Sequence, residues 1–131
     1  MLANHTSGLA RMFDNWPDNT DSLNPYRSYD KNLLFSYIKT CKLENAPGAV
    51  YSYSNTGAGL LGVILEGISG KSYEQMVEEI ICKPLHMSNT AQHLNASQKQ
   101  QFVSVYDENG NAVPAWDFDA MAPAGALRSS V

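Results

Sequence analysis

The sequence has few positive charges and no long hydrophobic run. Nine of the 131 residues are Lys or Arg, against 13 Asp and Glu, which gives a formal net charge of −4. Without a basic patch to neutralise phosphates, the chain is not expected to bind nucleic acid. The longest apolar run, Leu60 to Ile68, contains Gly62 and Glu66 and is much shorter than the roughly 18 residues that cross a bilayer. No membrane span is predicted.

Cysteine is also scarce. Cys41 and Cys82 lack the close Cys/Cys or Cys/His spacing of a zinc site, and two cysteines do not make a disulfide framework. We interpret both as unpaired, buried small side chains. The segment Met1 to Gly8 has neither the basic start nor the apolar middle of a secretory signal, so the sequence itself leaves the compartment undefined.

The composition is that of a folded domain. Hydrophobic residues make up 44% of the chain and charged residues 17%, which excludes disorder as the main state. A chain of 131 residues has room for one core of ordinary size. We therefore expect one domain over residues 1–131.

Three segments show apolar residues at helical spacing. The first follows the N-cap candidate Asp30 and should run for about ten residues. The second begins near Asn55, ends at Gly70 and is apolar on nearly every side, which predicts a buried helix. The third follows Ser72, which can form a capping box with Gln75. Its apolar stripe comprises Tyr73, Met76, Val77, Ile80 and Ile81.

The other segments predict loops and a little β structure. Asn4 to Tyr29 is rich in Asn, Asp, Ser and Pro and is interpreted as a long ordered loop. Phe102 to Tyr106 and Asn111 to Val113 flank the turn sequence Asp107 to Gly110, which is typical of a hairpin. The predicted fold class is mainly α with a small β hairpin.

Tyr53 and Asn55 are the strongest candidates for chemistry. They lie where an extended segment passes into a glycine-rich helix, and residues i and i+2 of an extended segment point to the same side. A tyrosine there can exchange a proton with a substrate or a serine, and an amide can orient a carbonyl. The simpler alternative is that the phenol only packs and that Asn55 only caps the helix.

Four segments in order resemble the serine β-lactamases of class C and the related penicillin-binding-protein-like esterases and D-alanyl-D-alanine carboxypeptidases. They are Asn4-His-Thr-Ser-Gly-Leu9, the Tyr53-Ser-Asn55 motif with its following glycines, Lys83-Pro-Leu-His-Met87, and Ala122-Pro-Ala-Gly-Ala-Leu127. The resemblance covers essentially the whole chain. Several matches in order make it specific, whereas Tyr-x-Asn alone would be weak.

The resemblance implies the helical subdomain of a β-lactamase-like fold, without its α/β half. In such a protein Tyr53 would be the proton-transfer group and Asn55 a substrate-orienting amide. A serine would attack a β-lactam, an ester or a peptidoglycan peptide, and water would hydrolyse the acyl-enzyme without a cofactor or a metal. Members of this family are often periplasmic or secreted.

The family's nucleophile motif, Ser-x-x-Lys, is missing from its place before the His-Thr-Ser-Gly segment, and no Lys-Thr-Gly or His-x-Gly strand follows. Ser28 with Lys31 and Ser36 with Lys39 match Ser-x-x-Lys, but both pairs come after that segment and are interpreted as chance. We therefore expect a fragment of a larger hydrolase that is inactive when isolated. The alternative is a non-catalytic interaction module that forms a homo-oligomer through the face left bare.

The remaining polar candidates have simpler interpretations. His5 and Ser7 lack a nucleophile elbow and a partner acid, which favours a role in ordering their loop. Asp117 and Asp119 could form a carboxylate pair, but a solvated loop is the preferred interpretation. The side chains of His86 and His93 are expected at the surface.

Overall fold

The computed structural model describes residues 1–130, and helices dominate it. The helices are α1 (Lys31–Thr40), α2 (Asn55–Ser69), α3 (Tyr73–Val77), α4 (Ala96–Gln101) and α5 (Ala122–Gly125). A 3₁₀ turn spans Pro25–Ser28, and a π-helical turn, Glu78–Cys82, continues α3. Strands β1 (Val105–Tyr106) and β2 (Ala112–Val113) form an antiparallel hairpin. The predicted fold class is confirmed.

Helix α1 begins and ends as its local sequence predicts. The Asp30 carboxylate accepts a hydrogen bond from the Leu33 N–H at 2.9 Å, which satisfies one of the free donors of the first turn. Leu34 and Tyr37 lie on the buried face of the helix. The helix has ten residues and ends where Cys41 becomes extended.

The N-cap of α2 is Ser54, so the capping role considered for Asn55 is wrong. The Ser54 hydroxyl accepts from the Gly57 N–H at 2.9 Å and donates to the Ala10 carbonyl at 2.7 Å. At the other end, Gly70 adopts φ 69°, the left-handed conformation that commonly terminates helices. Both predicted ends of α2 are confirmed.

The prediction that α2 is buried on nearly every side is wrong. One face, which includes three glycines, is buried. On the other side, Ile64 is 40% exposed, Leu65 45% and Ile68 79%. Helix α5 packs against the glycine face, whereas the apolar side chains at 64, 65 and 68 remain exposed, because an apolar composition does not itself supply a neighbour for every face. The buried residues are Thr56, Gly57, Gly59, Gly62 and Val63.

The glycine face lets α5 and its preceding turn approach the backbone of α2. A Cβ atom at Gly62 would lie 2.0 Å from Pro123 Cγ, and one at Gly59 would lie 2.7 Å from Met121 Sδ. Both distances are shorter than van der Waals contact. The absence of side chains at these positions therefore sets the distance between the two elements.

The core joins the N-terminal loop to α1, α2 and the segment before α5. The rings of Phe13 and Tyr29 stack with centroids 3.4 Å apart, and the Tyr29 hydroxyl donates to Asn15 Oδ1 at 2.7 Å. The segment Asn4 to Tyr29 is thus an ordered loop with one 3₁₀ turn, as predicted. The buried core residues are Phe13, Tyr29, Leu34, Tyr37, Val63, Ala120 and Met121.

The third predicted helix forms, but its apolar stripe is only partly right. The capping box of Ser72 and Gln75 is present. Ile80 is 70% exposed and Ile81 46%, however, whereas Cys82 is 4% exposed. A π-helical turn has more residues than an α-helical turn, so it rotates the residues after Val77 away from the face that a regular helix would bury.

Several smaller expectations are also resolved. In the hairpin, Val105 pairs with Val113, and Asp107 accepts from the Asn111 N–H at 2.8 Å across the turn. Cys41 and Cys82 are both free, although Cys41 is half-buried and not buried. No helix within residues 1–130 is long and apolar enough to cross a membrane.

Replacing Gly62 by alanine should destabilise the protein by about 2 kcal/mol, because the new methyl group overlaps Pro123. Gly67→Ala is the matched control, since a Cβ at Gly67 has no neighbour within 4 Å. That change should stabilise α2 by about 0.5–1 kcal/mol through helix propensity. Urea unfolding measures both, and equal stability of the two variants would contradict close α2–α5 packing.

Candidate functional site

Tyr53 and Asn55 lie on either side of the buried N-cap Ser54, at the start of α2. Tyr53 is 43% exposed and Asn55 is half-buried. The Asn55 Nδ2 atom lies 3.3 Å from Met12 Sδ, and the Arg11 guanidinium carbon lies 5.3 Å from the centre of the Tyr53 ring. The two predicted site residues therefore contact consecutive residues of one loop.

Backbone hydrogen bonds fix this loop against the start of the helix. The Arg11 carbonyl accepts from the Asn55 N–H at 3.0 Å, and the His5 carbonyl accepts from the Ser52 N–H at 2.8 Å. Together with the bond from the Ser54 hydroxyl to Ala10, these contacts join the loop and the extended segment along their length. The backbone of the site residues is thus held in place independently of their own side chains.

The surroundings of Tyr53 combine an aromatic ring with a cation. The His5 ring centroid lies 4.5 Å from that of Tyr53, and the Arg11 guanidinium contacts the same phenol ring. The guanidinium is attracted to the aromatic face electrostatically. The arrangement can hold a phenol in one orientation while leaving it accessible to a substrate. Sequence analysis missed Arg11 and Met12, because nothing in the local pattern links them to residues more than 40 positions away.

The two chance matches to Ser-x-x-Lys lie elsewhere. Lys31 Nζ forms a 2.8 Å ion pair with Glu66, which is about 16 Å along α2 from Asn55 at 1.5 Å per residue. Ser28 is exposed in the 3₁₀ turn, and Ser36 is exposed on α1. Neither pair joins the cluster around Tyr53.

The predicted loop-ordering role of His5 and Ser7 agrees with their contacts. The Ser7 hydroxyl accepts from the Leu9 N–H at 3.3 Å, and His5 Nδ1 accepts from the Ser54 N–H at 3.2 Å.

The aspartates do not act as a pair. Asp117 accepts from Asn24 Nδ2 at 3.0 Å and lies 3.6 Å from Arg128, and both Asp117 and Asp119 are exposed. The Asp119 carboxylate is nevertheless partly desolvated, which raises its pKa, and the negative charges of Asp30 and Glu66 raise it further while Lys31 lowers it. Within residues 1–130, no group of three or more His, Cys, Asp or Glu residues is arranged to hold a metal ion.

His93 lies at the surface, as expected, but it also forms a specific contact. Its Nδ1 lies 2.7 Å from Glu74 Oε2, while Glu74 Oε1 accepts from the Gln92 and His93 N–H groups at 2.8 and 2.7 Å. Burial opposes the charged form of Glu74, but these hydrogen bonds outweigh it and lower the Glu74 pKa. The contact attaches α3 to Gln92 and His93, which directly follow Ala91, the residue that forms a β-bridge with Arg128.

The family model described as Beta-lactamase matches residues 1–131. The chain belongs to the Beta-lactamase family. It is 37% identical over 89 residues to the D-alanyl-D-alanine-carboxypeptidase/endopeptidase AmpH of Escherichia coli (strain K12), a match that covers 68% of this chain and 22% of AmpH. The resemblance found in the sequence motifs is confirmed.

Solved structures of this family share the fold. The β-lactamase/D-alanine carboxypeptidase of Yersinia pestis, complexed with citrate, superposes with a TM-score of 0.78 at 28% identity. A class C β-lactamase in complex with cefoxitin superposes with a TM-score of 0.79 at 26% identity. Each match covers 98% of this chain, but only 35% and 33% of the respective structures. This chain therefore corresponds to about a third of either protein.

The Glu74 contact should make stability depend on pH. Because the folded-state pKa is lowered, its contribution is complete above the ordinary glutamate pKa and is lost as the pH falls through the lowered value. The free-energy advantage of the wild-type chain over Glu74→Gln should shrink between about pH 6 and pH 3. Glu108→Gln is the control, since the Glu108 side chain is exposed in the hairpin turn. If the difference in unfolding free energy between the wild-type chain and Glu74→Gln, measured by urea unfolding, did not change with pH, the lowered Glu74 pKa would be contradicted.

Proposed function

We propose that this chain supplies Tyr53 and Asn55 to the active site of a serine hydrolase of the β-lactamase type. The observation that carries the proposal is the Tyr53-Ser-Asn55 motif at the start of α2, in a chain of the Beta-lactamase family, with both side chains against one loop. The buried Ser54 between them serves as a structural cap, which leaves its two neighbours to face outward.

The proposed reaction is acyl transfer. A serine hydroxyl attacks the carbonyl of a β-lactam, an ester or a D-alanyl-D-alanine peptide, and its proton passes to a base. The bond from the carbonyl carbon to nitrogen or oxygen then breaks as that atom is protonated; the amine of a β-lactam stays attached through the opened ring, whereas the other leaving groups depart. Water then cleaves the acyl–serine ester and regenerates the hydroxyl. Tyr53 would carry the proton between serine and leaving group, and the Asn55 amide would donate to the substrate to orient its carbonyl.

The proposal places the nucleophile outside the residues described here. The serines of both Ser-x-x-Lys matches are exposed, and Lys31 of the first match is paired with Glu66, distant from Tyr53. The chain also corresponds to only about a third of the matched structures. We therefore propose that these 131 residues alone provide part of a site and do not turn over substrate.

The isolated chain should not hydrolyse nitrocefin or p-nitrophenyl acetate above the buffer rate, but it should bind an N-acylated D-alanyl-D-alanine peptide weakly at Asn55. The peptide should shift the side-chain amide resonance of Asn55 in an NMR titration. Asn55→Ala should weaken binding by about tenfold, the value of one hydrogen bond. Asn32→Ala is the control, because it removes an exposed amide on α1.

Two outcomes would overturn this proposal. Stoichiometric labelling of Ser28 or Ser36 by a fluorophosphonate, seen by intact-mass spectrometry, would place a nucleophile within the chain. If Asn55→Ala and Asn32→Ala weakened peptide binding equally, the peptide would not bind specifically at the start of α2.

A second candidate function is self-association through the exposed side of α2. Ile64, Leu65 and Ile68 are exposed on one helical face, at spacings i, i+1 and i+4. The chain has an accessible surface of 8435 Å², whereas a folded monomer of 14.4 kDa has about 6,800 Å². The excess on one chain, roughly 1,600 Å², is about twice the area of about 800 Å² that one partner contributes to a standard protein interface. These features support an interaction module that pairs with a second copy.

If this second candidate is right, the chain forms dimers whose fraction rises with concentration in sedimentation velocity. Ile68→Lys should shift the equilibrium toward monomer, since it places a charge in the apolar contact. Val103→Lys is the control, because Val103 is 80% exposed and lies outside α2. A monomer at every concentration that binds no dye for apolar surfaces would contradict self-association.

A further inference from the structure

His5 has an unusual backbone conformation that its contacts must maintain. Its φ angle is 57°, in the left-handed region that residues with a Cβ adopt at an energetic cost. This conformation brings three groups of His5 against the segment that carries Tyr53. The carbonyl accepts from the Ser52 N–H at 2.8 Å, Nδ1 accepts from the Ser54 N–H at 3.2 Å, and the ring lies against the phenol of Tyr53.

These contacts hold the residues directly before and after Tyr53 in the chain. Ser52 and Ser54 are its two neighbours, so one residue of the loop fixes the main chain immediately before and after the phenol. The imidazole adds a direct contact, with ring centroids 4.5 Å apart and planes inclined by 38°. A tyrosine at the end of an extended segment would otherwise be free to change its side-chain rotamer.

The contact with Ser54 also defines the protonation state of the ring. Nδ1 can accept a hydrogen bond only when it carries no proton, so the neutral imidazole has its proton on Nε2. If Nδ1 carried a proton, it would be a donor facing the Ser54 N–H, which is also a donor, and this hydrogen bond would break. The titratable or charged groups around the ring are Tyr51, whose ring centroid is 5.9 Å away, Tyr53, and Arg11 across the Tyr53 ring.

We propose that His5 is a positioning residue for Tyr53, holding the phenol in its working orientation through the ring contact and through the hydrogen bonds to the main chain on either side of it. Its importance for catalysis rests on the proposed function, in which Tyr53 transfers a proton. A proton-transfer group must be held within hydrogen-bond reach of its partner, so loss of this orientation would slow the reaction without removing any reacting atom. The positioning itself can be measured without any activity.

The test is an NMR titration of the labelled wild-type chain from about pH 8 to about pH 5, across the range in which histidines change charge. We expect nuclear Overhauser contacts between the rings of His5 and Tyr53 at high pH. As the pH falls, the Ser54 amide proton should lose its downfield shift with the same midpoint as the His5 ring carbons. The Ile38 amide of α1 should stay unchanged, which separates loss of this one hydrogen bond from unfolding.

Two variants test the hydrogen bond to Nδ1 and the ring contact with Tyr53 separately. His5→Asn keeps an acceptor oxygen near the position of Nδ1 and tolerates positive φ, so the Ser54 amide should stay downfield at every pH while the ring contact is lost. His5→Phe keeps a ring against Tyr53 but removes the acceptor, so the Ser54 amide should move upfield at every pH. The carbonyl contact with Ser52 is a main-chain contact that both variants retain.

The proposal is overturned if the chemical shift of the Ser54 amide proton changes neither when His5 is protonated nor when it is replaced by Phe. It is also overturned if the two rings show no nuclear Overhauser contact. This outcome is distinct from failure of the proposed function. If Asn55→Ala leaves peptide binding unchanged, the hydrolase site is wrong even when His5 orients Tyr53 as described.

Discussion

The hydroxyl group of Ser54 makes the contact on which the candidate site depends. It is fully buried, accepts from Gly57 within α2 and donates to Ala10 in the N-terminal loop. A helix start and a loop 44 positions earlier in the chain are thereby joined through one oxygen atom. Because this atom is inaccessible to water, breaking either bond would leave a buried polar group unpaired. The side chains on either side, Tyr53 and Asn55, are held in place by a residue with no chemical role of its own.

The two faces of helix α2 differ in what they contact. Its glycine face has no side chains at Gly59 and Gly62, so Met121 and Pro123 approach the helix backbone. Close approach of this kind restricts the helix to one position, which in turn fixes the residues at its N-terminus. The other face carries Ile68 and its apolar neighbours toward solvent. An apolar surface of this kind is characteristic of a contact with another polypeptide, whether a second copy or further parts of the same protein.

The parts of the fold that the sequence predicted are those determined within a few residues. The ends of α1 and α2 depend on Asp30 and Gly70, whose effects are local, and the hairpin depends on its own turn. The predictions that α2 is buried on nearly every side and that Ile80 lies in the apolar stripe were wrong, because burial depends on which elements pack together and on one π-helical turn. Likewise, the motif predicted Tyr53 and Asn55 as site residues, but their contacts with Arg11 and Met12 depend on the three-dimensional packing of a distant loop.

The contacts around Tyr53 show how the proposed site is held at the end of a helix. Proton transfer loses efficiency steeply when the groups are misplaced by about 1 Å, so the phenol needs a rigid support. Ser54 fixes the helix start by two hydrogen bonds, and His5 fixes the extended segment before it by contacts on both sides of the phenol. The backbone of Tyr53 is thus held without using its hydroxyl group. That group is consequently not used for this support, which agrees with the proton-transfer role proposed for it.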